Sequence, residues 1–239
     1  MAVIKDTCMD INTYSTSYLH YYTSEIPKLL KEYLDRCTWS SFVELGCGDG
    51  ALLDALSKRG YFRGKTAFAI DISCERLNFA RSIDPSIKCF QDDVCHIKNL
   101  SDESADFIVS KQVIEHVQEE ESMVSEISRV LRCSGTAYVS TVFKKKFAWY
   151  FHRCNGRWVL DPTHIREYTK ESGLLELFVK HGLKVLENRK SLFWFPVTDF
   201  IFKRMGFGRN IYRFGIMNLL RKIKVPILGY YEWEMVFQK

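Results

Sequence analysis

Seven residues, Glu44-Leu45-Gly46-Cys47-Gly48-Asp49-Gly50, constrain this 239-residue chain more than any other stretch. They close a short β-prone run, Ser41–Leu45, and lead straight into a helical pattern, Ala51–Lys58. Three glycines within five residues let the backbone turn sharply and approach a ligand with no Cβ in the way. The helix that follows presents free N–H groups at its start. A strand–turn–helix corner of this kind forms a nucleotide or nucleoside site at the carboxyl edge of a sheet. Two acids extend the pattern. Asp71 ends the next β-prone run, Thr66–Ile70, where a carboxylate can accept from both ribose hydroxyls. Asp93 follows a third run, Ile87–Phe90, where a carboxylate can accept from the adenine amine while the Val94 N–H donates to a ring nitrogen. Three such features at consecutive strand ends point to one bound nucleoside.

The rest of the chain continues the alternation. Ala105–Ser110, Thr136–Val142 and Lys184–Arg189 read as strands, and Tyr230–Gln238 as a final strand antiparallel to the others. Helices are expected over Glu75–Arg81 behind Ser73 as N-cap, over Ser122–Leu131, and from a Thr169 cap to His181 with Gly182 as the stop. This predicts an α/β, Rossmann-like three-layer sandwich: a mostly parallel seven-stranded sheet with an antiparallel last strand and helices on both faces. No linker divides the chain, so residues 1–239 are expected to form a single domain with a cofactor-binding core over 40–143. Residues 14–37 read as a helical lead-in whose main helix starts near Ser24, because Pro27 fits only a first turn. Residues 144–164 and 191–229 fit the alternation poorly and are expected to be insertions capping the substrate.

The nucleoside itself is narrowed by charge. Gly46-x-Gly48-x-x-Ala51 satisfies the loose dinucleotide pattern with Asp71 as the ribose acid, which keeps a nicotinamide-dependent oxidoreductase open. Glu44 and Asp49 argue against it, since carboxylates suit a cationic ligand and repel a pyrophosphate. No GKS or GKT triplet follows, which excludes a P-loop. The chain resembles the class I S-adenosylmethionine-dependent methyltransferase superfamily, in particular its small-molecule group. The resemblance runs through ELGCGDG (Glu44–Gly50), AIDIS (Ala69–Ser73), Gln91–Val94, DFIVSKQVIEHV (Asp106–Val117), Ile127–Val142 and HIREYT (His164–Thr169). It implies S-adenosyl-L-methionine as cofactor. Glu44, Gly46, Cys47, Gly48, Asp49 and Gly50 would hold its methionine part, Asp71 and Ile72 the ribose, and Asp93 and Val94 the adenine. Ser110 and Gln112 would lie toward the sulfonium.

Methyl transfer from a sulfonium is an in-line displacement, so the protein chiefly aligns the partners and excludes water. A hydroxyl acceptor gains from a general base. His164, His116 and Glu167 are the candidates for catalysis, and Tyr14, Tyr18, Tyr21 and Tyr22 for a lid on the cofactor. No Asn/Asp-Pro-Pro-Tyr and no Pro-Cys occurs, which disfavours nucleic-acid bases as acceptors. A homologue that binds cofactor without catalysing remains open.

Charge bears on the partner. Residues 1–143 carry 15 Lys/Arg against 21 Asp/Glu, whereas residues 144–239 carry 19 against 8. Residues 191–229 interleave seven bases with eight aromatics and hold one acid, Asp199. That composition suits a small-molecule or lipid-like acceptor and contact with an anionic membrane surface. Nothing calls for an obligate protein partner, and no ligand spacing suggests a metal. Eight cysteines without a CxxC pair, and acids where a signal peptide would be apolar, fit a cytoplasmic protein peripheral to a membrane at most.

Overall fold

The computed structural model describes residues 2–3, 21–22, 25–150, 152–154 and 157–239; Tyr14, Tyr18 and Ser24 lie outside them. The core alternates as expected: β1 (Ser41–Leu45), α2 (Ala51–Lys58), β2 (Thr66–Asp71), α3 (Cys74–Arg81), β3 (Ile87–Gln91), β4 (Ala105–Lys111), α4 (Glu120–Val130) and β5 (Leu131–Lys144). In front stands α1 (Lys28–Arg36). Behind come α5 (Ser172–Lys180), β6 (Lys184–Pro196), α6 (Val197–Arg204), α7 (Gly215–Leu220) and β7 (Lys224–Gln238). The sheet order is β3-β2-β1-β4-β5-β7-β6. Pairs among β1 to β5 are parallel, and β7 is antiparallel to both of its neighbours. The predicted seven-stranded sheet with an antiparallel last strand is the observed one.

Alternation of side chains across β1 explains the two cores. Val43 and Leu45 face one side, with Ile127 and Val130 of α4 and Phe178 of α5, whose ring stacks on Phe237 at 4.0 Å. Phe42 faces the other side, with Leu30 of α1, Leu53 and Leu56 of α2, and Leu77 of α3. Both faces of the central strands are therefore buried, as a parallel sheet requires.

Local departures have local causes. The first helix begins at Lys28, not near Ser24, because Pro27 is its extended N-cap (ψ 136°) and its carbonyl accepts from the Lys31 N–H at 2.9 Å. Ser73 caps α3 as expected, its side chain accepting from the Arg76 N–H at 3.3 Å. Thr169 caps nothing: α5 starts at Ser172 behind Glu171, while Gly182, at φ 80°, does end that segment.

The largest difference lies in 191–229. The strands predicted to end at Arg189 and begin at Tyr230 run on as a β-ribbon, with Trp194 opposite Pro226 and Phe195 opposite Val225. Three short helical pieces form its tip: α6, a 3₁₀ turn over Arg209–Arg213, and α7. Aromatic and β-branched residues favour strand there, so both ends of the insertion extend the sheet's strands. Residues 152–154 and 157–159 pair as a small antiparallel hairpin after β5.

Candidate cofactor and acceptor site

A cleft of about 1550 Å³ opens over the carboxyl ends of β1 to β4. The sheet reverses its strand order between β1 and β4, the position where α/β sheets leave a crevice. Glu44, Gly46, Cys47, Gly48, Asp49, Asp71, Ile72, Asp93, Val94 and Gln112 all line this cleft. Two residues expected with them do not. Ser110 is fully buried within β4. Gly50, at φ 78°, starts α2, and a Cβ there would lie 2.4 Å from Ile83 Cδ1, so its role is helix packing.

The glycine loop is held by the strand beside it. The Gly46 and Cys47 N–H groups donate to the Ile70 carbonyl at 2.8 and 3.0 Å. Asp71 accepts from the Gly48 N–H at 2.8 Å on one oxygen and from the Ser73 N–H at 2.9 Å on the other. Its carboxylate thus orders both the loop and the start of α3, and each oxygen keeps a second lone pair for a ligand. Gly46 has φ 71°, and a Cβ there would lie 2.4 Å from Val113 Cγ2. Glycine at 46 is therefore required by backbone geometry and by the Val113 side chain. The lead-in reaches the loop through Tyr22, whose hydroxyl donates to the Asp49 carbonyl at 2.8 Å.

Electrostatics distinguish the acids. Glu44 is buried, its Oε2 has no hydrogen-bond partner, and burial raises its pKa to about 8, against the pull of Lys111 and with a further push from Asp71. Burial also raises the Asp71 pKa, opposed by its two backbone N–H donors. Asp93 is exposed to the cleft, accepting from the Cys95 N–H at 2.9 Å. Its neighbour Asp92 instead collects the Lys98 and Asn99 N–H groups and shapes the turn.

The opposite wall carries the catalytic candidates. His116 and His164 line the cleft with ring centroids 4.8 Å apart. Glu167 lies behind them, accepting from His164 Nδ1 at 3.1 Å, the Leu160 N–H at 2.7 Å and Lys144 Nζ at 2.8 Å. His116 Nδ1 approaches Thr163 Oγ1 at 3.0 Å, and that hydroxyl donates to Asp161 at 2.6 Å. Burial and the neighbouring His164 lower the His116 pKa to about 4. Burial depresses His164 too, but Glu167, Glu115 and Asp161 outweigh it and raise its pKa. Beneath both rings, Glu115 is fully buried.

Sequence reading missed Arg166, although it lies inside the quoted HIREYT. It is 4% exposed and donates to the carbonyls of Ile114 at 2.9 Å and Gln118 at 2.8 Å, and also to that of Val117. The guanidinium thus fastens the loop after β4 to the loop carrying His164. Also missed was Arg76 of α3, whose guanidinium approaches Asp49 at 4.0 Å. The aromatic part of the wall comes from Phe193, Trp194 and Phe195 of the ribbon, with Ile227, Tyr150 and Leu160.

A parallel α/β sheet with this glycine corner and these strand-end acids defines a nucleoside-cofactor enzyme fold. Residues 43–139 match the family described as a methyltransferase domain. A Mycobacterium tuberculosis protein named "probable S-adenosylmethionine-dependent methyltransferase" is 31% identical over 148 residues, which are 62% of this chain and 50% of that protein. The mitochondrial ubiquinone biosynthesis O-methyltransferase of Mus musculus is 31% identical over 45% of this chain and 30% of its own length. The chain spans about half the length of the Mycobacterium relatives it matches. Among solved structures, the 4+2 cyclase SpnF superposes with a TM-score of 0.63 at 18% identity, over 88% of this chain and 79% of that one. The Haemonchus contortus phosphoethanolamine N-methyltransferase 2, solved with S-adenosyl-L-methionine, gives 0.56 at 16% identity, over 87% and 50%. Residues 43–139 thus match a methyltransferase domain, and the relatives named as S-adenosylmethionine-dependent methyltransferases support that superfamily, with S-adenosyl-L-methionine as cofactor, for this part of the chain.

Proposed function

We propose that this chain transfers a methyl group from S-adenosyl-L-methionine to a small-molecule or lipid-like acceptor. The observation that carries the proposal is Glu44, a buried carboxyl with one oxygen unpartnered on a cleft that Asp71 and Asp93 also line. A dinucleotide would bring phosphates to that loop, whereas the methionine end of S-adenosylmethionine brings an ammonium. In this reading the glycine loop and Glu44 hold the methionine part, Asp71 and Ile72 the ribose, and Asp93 and Val94 the adenine. Gln112 lies toward the sulfonium.

The acceptor would lie against Phe193, Trp194 and Phe195, and the His116–His164 pair with Glu167 behind it would handle the charge of the accepting group. An apolar wall favours an apolar acceptor body. A lipid-like acceptor is further supported by the ribbon and its tip. Among the described residues, Trp194, Phe214, Ile216, Leu219, Ile223 and Leu228 are all at least half exposed there. Asp199, the segment's single acid, is buried against Tyr212 and Arg221. Exposed apolar side chains beside Arg213 and Lys222 suit the headgroup region of an anionic membrane. No helix of the described residues is long and apolar enough to cross a membrane.

Calorimetry with S-adenosylhomocysteine and with NAD tests the cofactor. Micromolar binding of the former alone supports the proposal, and binding of NAD alone would return the chain to hydride chemistry. Transfer of isotope-labelled methyl from S-adenosylmethionine into a lipid extract or a small-molecule extract then tests the acceptor. Cofactor binding with no transfer into any fraction would favour a homologue without activity.

A further inference from the structure

We infer that Glu115, His116 and His164 form a binding site for a first-row divalent cation, Zn²⁺ by the chemistry of the donors, at the acceptor end of the cleft. The inference rests on the reading that this wall faces the acceptor. Sequence spacing gave no hint of it, because the residues come from two loops, one after β4 and one beyond the small hairpin. Arg166 joins those loops, and the Ile165 N–H adds a 2.9 Å bond to the Glu115 carbonyl.

Three observations carry the site. First, one donor atom from each of the three residues lies within 4.8 Å of the other two. Donors at 2.0–2.2 Å around a tetrahedral Zn²⁺ are roughly 3.3 Å apart, so closure by about 1.5 Å of side-chain movement completes it. Second, the Glu115 carboxyl is fully buried; Thr141 donates to Oε2 at 2.8 Å, while Oε1 has no partner. A buried unpaired carboxyl oxygen is costly, and a cation removes the cost. Third, His164 is oriented from behind by a carboxylate, Glu167, through Nδ1 at 3.1 Å. That carboxylate–histidine arrangement is the usual support for a metal-bound imidazole, and it aims Nε2 away from Glu167. Thr163 steers the His116 ring in the same way.

The surrounding charge agrees. Glu115, Glu167 and Asp161 face the two imidazoles, and the nearby cations are otherwise committed. Lys144 is bound to Glu167 and to the Trp158 carbonyl, Arg166 to loop carbonyls, and Arg76, whose charge also reaches His116, approaches Asp49 at 4.0 Å. Two imidazoles and one carboxylate form a donor set for a catalytic-type site, with the remaining position open to an oxygen of the acceptor. A hydroxyl- or carboxyl-bearing acceptor is therefore the class this site would take.

The test uses the full chain without a polyhistidine tag, stripped with a chelator and titrated with Co²⁺ and then Zn²⁺. The expected result is one Co²⁺ per chain, with visible absorption bands that Zn²⁺ abolishes by displacement. Glu115→Gln and His164→Gln should each weaken Co²⁺ binding about a hundredfold, and Glu167→Gln about tenfold through loss of orientation. Thermal melts with and without Zn²⁺ add a second readout: the ion should raise the melting temperature of the parent but of neither ligand variant. Absence of stoichiometric Co²⁺ binding, or binding that survives both ligand substitutions, overturns the site. S-adenosylhomocysteine calorimetry on the same samples separates this from the cofactor reading. Cofactor binding with no metal binding removes only the ion, and metal binding without cofactor binding removes only the methyltransferase reading.

Discussion

The protonation state of Glu44 should control cofactor affinity, and the effect is large enough to measure. Its pKa in the unliganded protein is about 8, because burial penalises the charge more than Lys111 favours it. A ligand ammonium needs the carboxylate, so binding below that pKa must expel the proton. Each pH unit below 8 then costs about 1.4 kcal/mol, or tenfold in affinity. Between about pH 5.5 and 7.5 the affinity for S-adenosylhomocysteine should rise roughly a hundredfold, and it should flatten above 8. Calorimetry in buffers of different ionisation enthalpy should find close to one proton released per ligand at pH 6. Glu44→Gln should bind more weakly at pH 8, with no proton release and no slope.

The same shift fixes the sign of a stability effect. A carboxyl whose folded pKa lies above its unfolded value takes up a proton on folding. Its favourable contribution is complete below the unfolded pKa of 4.5 and is lost as pH rises toward 8. Urea midpoints of the unliganded protein should therefore fall across that window relative to Glu44→Gln, by at most about 1.4 kcal/mol per pH unit. A variant less stable than the parent at pH 8, together with pH-independent binding by the parent, would refute the reasoning. Glu44 would then be ionised and paired in the free protein.

Other sites give sharper single measurements. Asp71→Ala should weaken S-adenosylhomocysteine binding roughly ten- to a hundredfold, since a carboxylate in charged hydrogen bonds contributes about 1.5–3 kcal/mol; unchanged calorimetry would remove Asp71 from the site. Gly46→Val combines a left-handed backbone with a clash at Val113, and urea denaturation should show a loss of about 2–6 kcal/mol or no folding. Arg166→Ala should cost about 2–4 kcal/mol by removing the donors that join two loops, whereas a loss under 0.5 kcal/mol would show that the loops hold without it. Reversing Arg213 and Lys222 to Glu should abolish sedimentation with anionic vesicles at low salt and leave cofactor affinity intact; vesicle binding by the reversed variant would remove the membrane from the reading.

How far the sequence could be read follows from how each part is assembled. Ser41–Leu45 and Ala51–Lys58 were legible to the residue because propensity, burial period and the glycine corner all agree locally. The two strand-end acids were legible as neighbours because each lies at the end of its own strand, so sheet order alone brings Asp71 and Asp93 to one cleft. Glu44 needed only its place inside β1, but the missing partner of its Oε2 is a packing fact that spacing does not encode. The ribbon was misread for a different reason. Trp194–Pro196 and Lys224–Pro226 pair with each other across more than twenty residues, and composition within either one gives no register.

The acceptor wall marks where linear reading ends. Glu115 and His116 were visible within DFIVSKQVIEHV and His164 at the head of HIREYT, yet their meeting depends on Arg166 fastening one loop to the other. The same arginine was visible in HIREYT as one more surface-type charge, since nothing in the motif says it is 4% exposed. The wall formed by the glycine loop, Asp71 and Asp93 is thus written along strand ends, where a sequence reports it directly. The wall proposed to face the acceptor is written across loops and the β-ribbon, where it depends on contacts between distant segments. The proposed cofactor rests on the first kind of information and the proposed acceptor on the second, so the acceptor end is tested at Glu115, His164 and the ribbon rather than at the glycine loop.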